Sequence, residues 1–230
     1  IRVKRPANFI LENVKSITSV NNGNFFQEII DILALKLNYS VNVLCLNASD
    51  FGIPQTRRRV FIVGDRDKDI SNLNVDDFKT DLKLSEYPST WHLLEKEVDE
   101  RYYLSEKILK TILKDKHKGY NRKAEINKLI ARPLTKTMHK MHRASQDNYY
   151  SDSFIKGHYD KKEEKVILAR LPKDRIRRIT PREALRIQSF PENYIDKLLD
   201  TGISDTRIYM LAGNAVPPKL VEAVMKALFI

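Results

Sequence analysis

Apolar positions near the start of the chain follow two periods in turn. Asn8-Phe9-Ile10-Leu11 is a short apolar run that stops at polar Glu12-Asn13 and reads as a buried strand. Phe25, Phe26, Ile29, Ile30, Leu33 and Leu37 then recur at helical spacing, predicting a helix from about Asn24 to Leu37 with Gln, Glu, Asp and Lys on its other face. Val41, Val43 and Cys45 alternate with Asn42 and Leu44 as in a strand. Val60-Phe61-Ile62-Val63, closed by Gly64, is a continuous run of the kind buried on both faces. Strand, helix, strand, loop, strand predicts an open α/β sheet, whose ligands sit at the carboxyl ends of strands, where Glu12 lies.

From about Asp65 to Asp174 the pattern loosens. Only short periodic pieces such as Ile108, Leu109, Ile112 and Leu113 stand out, and a boundary is placed near Trp91. Regularity returns at Thr180, Pro181 and Glu183, which have the roles of N-cap, N1 proline and N3 capping-box residue for a helix through Ala184, Leu185 and Ile187. A last helix starts at Pro217-Pro218 and carries Leu220, Val221, Val224 and Leu228 on one face, entered through Ala212-Gly213-Asn214.

The 230 residues are 42% hydrophobic, enough for one good core and a smaller satellite. Lys and Arg outnumber Asp and Glu by 41 to 30, a net charge of +11 that favours a polyanionic partner, nucleic acid first, although Lys-rich surfaces also arise from genome composition. The middle region mixes basic and aromatic residues (Lys136, His139, Lys140, His142, Arg143, Tyr149, Tyr150) suited to phosphate and stacking contacts, and DNA contact is expected within 119–160. His139 and His142 have no third ligand in view, so no metal is expected. No apolar run approaches membrane-spanning length, and no secretory signal opens the chain, so a cytoplasmic setting without membrane contact is expected. The single cysteine, Cys45, lies in an alternating apolar strand and is expected to be a small core residue.

Four segments stand in a telling order. They are Glu12-Asn13-Val14; Gln55-x-Arg57-x-Arg59; Arg177-x-x-Thr180-Pro181-Arg182-Glu183 with Gln188-x-Phe190-Pro191; and Gly213-Asn214-x-Val216. Over essentially its whole length the chain resembles the C-terminal half of the cytosine-5 DNA methyltransferase family. The resemblance implies the C-terminal portion of a Rossmann-like S-adenosylmethionine-dependent methyltransferase sheet plus a small, irregular target-recognition domain. Residues 1–91 would belong to the catalytic α/β domain, 92–202 to the DNA-reading domain with its supporting helix, and 203–230 to the catalytic domain again, on the cofactor side.

The resemblance also implies chemistry. Carbon 5 of cytosine is a poor nucleophile until a thiolate adds at C6, and a carboxyl group bonded to N3 and the exocyclic amine stabilises the adduct. Glu12 matches that group, with Asn13 orienting the loop. Arg59 matches a guanidinium directed at cytosine O2, and Arg57 is a supporting candidate. Taken alone, Arg57-Arg58-Arg59 also reads as a run of exposed or phosphate-facing charges at a strand start. Asn214, Ala215 and Val216 would line the S-adenosylmethionine site, with Phe190 beside it. Lys136, Lys140 and Arg143 are candidates for contact with duplex DNA, whose target base the family flips out of the stack.

The family's Phe-x-Gly-x-Gly cofactor loop and Pro-Cys nucleophile are not among the residues ahead of Glu12, and Cys45 follows Glu12 without a preceding proline. The chain is therefore expected to be inactive alone and to need an N-terminal catalytic half, in the same chain or as a separate subunit. The first strand would then leave an open sheet edge. A restriction-modification setting fits family habit. A catalytically inert DNA-binding module is the alternative. A tRNA-modifying branch shares these motifs but carries a Cys-Phe-Thr signature absent here, and zinc deaminases need Pro-Cys-x-x-Cys ligands that are also absent.

Overall fold

In the computed structural model, which describes residues 1–113, 124–140 and 142–229, the chain forms strands and helices in a mixed α/β order. Strand β1 (Asn8–Val14) and helix α1 (Asn24–Asp31) are followed by β2 (Ser40–Asn47) and β3 (Arg58–Asp65). The middle region holds short pieces: α2 (Thr90–Leu93), α3 (Glu106–Ile112), β4 (Tyr149–Ser151), α4 (Asp152–Ile155), β5 (His158–Asp160), β6 (Lys165–Ile167) and β7 (Ile176–Arg178). Helices α5 (Pro181–Ile187), α6 (Glu192–Asp200), α7 (Asp205–Asn214) and α8 (Pro218–Phe229) complete the chain. The part of the stripe beyond Asp31 continues as a wider π-type helix over Ile32–Lys36.

The main sheet has the order β1-β3-β2, with β3 antiparallel to both neighbours. A central strand needs apolar side chains on both faces, which is why Val60 to Val63 is continuous. Val60 and Ile62 join Phe9, Leu33 and Tyr39 on the α1 side. Phe61 and Val63 join Leu44, Leu46, Leu220, Val224 and Leu228 on the α8 side. The alternation in β2 resolves against the sequence expectation: Leu44 and Leu46 are buried, whereas Val43 and Cys45 are exposed. Helix α8 covers the Leu44 face along its length, while on the opposite face the α1 cluster includes Val41 but neither Val43 nor Cys45.

A second core gathers Leu93, Tyr150, Phe154, Ile179, Leu185, Ile187, Ile195, Ile208, Tyr209 and Ala212, so α5, α6 and α7 pack with the middle region. Its entry is built around Glu183. The capping box forms as predicted, with the Glu183 N–H donating to Thr180 Oγ1 and the Thr180 N–H donating to Glu183 Oε2 across 2.8 Å. Arg177 adds two bonds to the same carboxylate, at 2.8 and 2.7 Å, and the Glu95 N–H adds a fourth at 2.7 Å. Burial pulls the Arg177 guanidinium down, but Glu183 outweighs it and the net shift is upward. The Arg-x-x-Thr-Pro-Arg-Glu segment is thus a buried ionic knot that anchors β7 to α5.

Candidate active site

On β1, Ile10 faces the α8 side of the sheet, and the strand's two-residue period carries Glu12 to the same side. Glu12 lies opposite Phe61, and Val14 opposite Arg59, so Arg59 sits diagonally across from Glu12 on that face. Arg59 Nε donates to Glu12 Oε1 across 2.7 Å, the side chains being 14% and 28% exposed. Burial lowers the Arg59 pKa and Glu12 opposes the shift. A carboxyl group and a guanidinium therefore stand side by side, screened from water yet reachable from it. The neighbouring Asn13 turns its Oδ1 back to accept from the Val14 N–H at 2.8 Å, which fits a part in shaping the loop.

Arg57 is used differently. Its side chain is buried, with Nη1 donating to Leu134 O at 2.9 Å and Nη2 to Gly213 O at 3.0 Å and Ala215 O at 2.8 Å. Gln55, two residues earlier, accepts from the Leu134 N–H at 3.2 Å and donates to Ile187 O at 3.0 Å. Gln188 lies beside it and donates to Ala212 O. Gln55, Gln188 and Gly213 thus meet at one junction. Their identities mark the motifs but not the contact, because backbone carbonyls leave no trace in a residue pattern.

Three of the four residues expected to line the cofactor site lie where α7 ends and the turn to α8 begins. Asn214, the last residue of α7, is exposed, and Ala215 and Val216 are half-buried. The Lys219 N–H, in the first turn of α8, points to Ser189 Oγ at 3.4 Å, which brings the Phe190 turn alongside. The half-buried Phe190 ring stacks on Tyr194 with centroids 5.3 Å apart. The turn thus gathers an exposed amide and two half-buried residues beside a stacked aromatic pair.

Among the residues expected at DNA, Lys136 and Lys140 are exposed on the turn that follows Leu134. Arg143 is partly buried, its Nη2 bonded to Thr135 Oγ1 at 2.7 Å and Asp147 Oδ1 at 3.2 Å. Tyr149 and Tyr150 depart from the expectation of stacking aromatics. Both are buried, and Tyr150 donates to Lys128 O, so neither offers a ring face to a base. Of the stretch 119–160, residues 119–123 and 141 lie outside the described residues. Among the described residues no group of His, Cys, Asp and Glu is placed to hold a metal, and no helix is long and apolar enough to cross a membrane.

The family of C-5 cytosine-specific DNA methylases matches residues 1–229. Among curated relatives, the type II methyltransferase M1.ScrFI of Lactococcus lactis subsp. cremoris is 34% identical over 224 residues, 97% of this chain and 52% of the relative. The type II methyltransferase M.DsaV of Dactylococcopsis salina is 30% identical over 96% of this chain and 56% of its own length. The chain thus spans about half the length of these relatives. The fold is shared with the S. pombe Dnmt2 methyltransferase (TM-score 0.68, 20% identity, 97% of this chain and 64% of that one). It is shared also with the Entamoeba histolytica methyltransferase EhMeth (TM-score 0.66, 21% identity, 97% and 62%).

Proposed function

The chain belongs to the C-5 cytosine-specific DNA methylase family, and from that membership we propose that it forms the base-binding and DNA-reading part of an enzyme that methylates C5 of cytosine in duplex DNA. A restriction-modification system is the proposed setting, in keeping with the type II names of the relatives. A DNA substrate in that setting implies action in the cytoplasm. The observation that carries this reading is the Glu12–Arg59 pair, a carboxylate and a guanidinium held 2.7 Å apart on one sheet face. Glu12 would hold the N3 edge and exocyclic amine of a flipped cytosine, sharing the proton that stabilises the C6 adduct. Arg59 would take up the negative charge that develops toward O2.

The nucleophile is proposed to come from sequence outside these residues. Cys45 is the one cysteine, and its register partner is Val60, whose side chain lies on the α1 side of the sheet. It therefore faces away from Glu12 and Arg59. Asn214, Ala215, Val216 and Phe190 are proposed to hold part of S-adenosylmethionine, which supplies an electrophilic methyl group when bound. Lys136 and Lys140 are proposed to meet DNA phosphates, with Arg143 shaping their turn through Thr135 and Asp147. Residues 1–91 and 203–230 are assigned to the catalytic domain and 92–202 to the reading domain. The sheet and α8 share one core, whereas α7, assigned to the catalytic side, packs in the other core with α5, α6 and the middle region.

The test is transfer of a labelled methyl group from S-adenosylmethionine to duplex DNA. The expected result is no transfer by the 230 residues alone and clear transfer once they are combined with a segment carrying a Pro-Cys nucleophile and glycine-rich loop. Transfer by the chain alone would refute the split of functions. DNA binding that no complementing segment converts to transfer would favour the inert module.

A further inference from the structure

We propose that Arg57 couples the DNA-reading turn to the cofactor loop, a positioning role that rests on the assignments of Lys136–Lys140 and Asn214–Val216 made above. The guanidinium holds Leu134 O, two residues ahead of Lys136, and Gly213 O and Ala215 O, which flank Asn214. Gln55 holds the N–H of the same Leu134, and Gln188 holds Ala212 O, so the Leu134 segment is bound twice by the Gln55–Arg57 motif and the 212–215 segment by Arg57 and Gln188. The segments also touch directly. A Cβ on Gly213 would stand 2.2 Å from Thr135 C and 2.3 Å from Lys136 N, so the position admits only glycine while the backbones keep this approach.

The charge makes the link stiff. Among the described residues no carboxylate lies within ion-pair distance of Arg57, and its Nε has no hydrogen-bond partner. Burial first, and Arg59 second, push the guanidinium down to about 10, which leaves it charged at neutral pH. A buried cation balanced by three carbonyl dipoles from two segments is destabilised sharply when either segment withdraws, because an N–H that loses its acceptor here finds no water. Ordering of residues 135–140 by DNA therefore restrains residues 213–215, and the reverse holds by reciprocity.

Amide hydrogen exchange in the 230-residue chain, with and without a short mixed-sequence DNA duplex, tests the coupling. DNA is expected to slow exchange at 135–140 and, at a distance, at 213–216, by about 5- to 150-fold if the coupling is of ordinary size. In Arg57→Met the protection at 135–140 remains and that at 213–216 disappears. Arg57→Lys, which keeps the charge but not the planar fork, restores it in part. If Arg57→Met does not fold, Arg57→Lys carries the test, with partial loss expected and full retention refuting the coupling. DNA that leaves 135–140 unprotected removes the reading assignment and the proposal with it. Protection at 135–140 without protection at 213–216, or protection at 213–216 that Arg57→Met leaves unchanged, overturns the coupling alone.

Discussion

Arg59 reaches across from β3 to donate its Nε to Glu12 Oε1 on β1 at 2.7 Å, and among the described residues this is the only ion pair made by the Glu-Asn-Val and Gln-x-Arg-x-Arg segments. Each orients the other, so the proposed base site would present a fixed acceptor and a fixed donor.

Glu12→Gln keeps the shape of that pair and removes its charge. With the complementing segment proposed above, single-turnover methyl transfer is expected to fall by roughly 10²- to 10⁴-fold, the usual weight of a general acid-base group. Arg59→Lys is expected to cost about 10²- to 10³-fold, because an ammonium does not reproduce the guanidinium fork. DNA affinity should hold in both. A drop confined to affinity, with the transfer rate intact, would remove the pair from the chemistry.

Arg177 and Glu183 are both fully buried, at 1% and 0% side-chain exposure. Removing one partner leaves the other charge stranded, so Arg177→Met or Glu183→Leu alone is expected to destabilise the chain by about 3–5 kcal/mol. The double variant should recover much of that loss. Urea unfolding midpoints of the four proteins close the cycle, and additive losses would show that the pair acts as two independent packing residues.

Gly213 and Gly202 separate steric contact from backbone strain. Gly202 has φ +70° with open space around it, so Gly202→Ala is expected to cost about 1 kcal/mol for the left-handed backbone alone. Gly213→Ala meets the Thr135 backbone and should cost about 3 kcal/mol, the upper end of overpacking losses. Thermal melting of both variants ranks them. Equal losses would mean that the 134–136 segment yields freely.

Alkaline pH should unfold the chain early. Burial pushes the phenols of Tyr87 and Tyr102 up to about 12, and those of Tyr149, Tyr150 and Tyr209 up as well. A pKa raised in the folded state contributes stability that is complete below the unfolded value of 10.0 and is lost as pH rises toward 12. Arg57, pushed down to about 10, and Arg59, also lowered by burial, act in the opposite sense, but they are two groups against five phenols. Unfolding midpoints should therefore fall steadily above pH 10, together with the appearance of phenolate absorbance. A flat profile would mean that these phenols titrate without unfolding.

The sequence by itself determined the elements whose causes are local. The capping box at Thr180 and Glu183 completes itself within four residues, and the continuous run Val60 to Val63 announces a strand buried on both faces. The roles expected of Glu12 and Arg59 came from the resemblance of their motifs to a family, and the sequence alone did not show that the two side chains would meet. Only the tertiary structure decided which face of an alternating strand is covered. Cys45 and Val43 are exposed because α8, from the far end of the chain, packs on Leu44 and Leu46 instead. It alone also decided what Arg57 does. Its partners are main-chain carbonyls, which every residue carries alike, so no pattern of side chains could point to Leu134, Gly213 and Ala215 before the chain had brought them together.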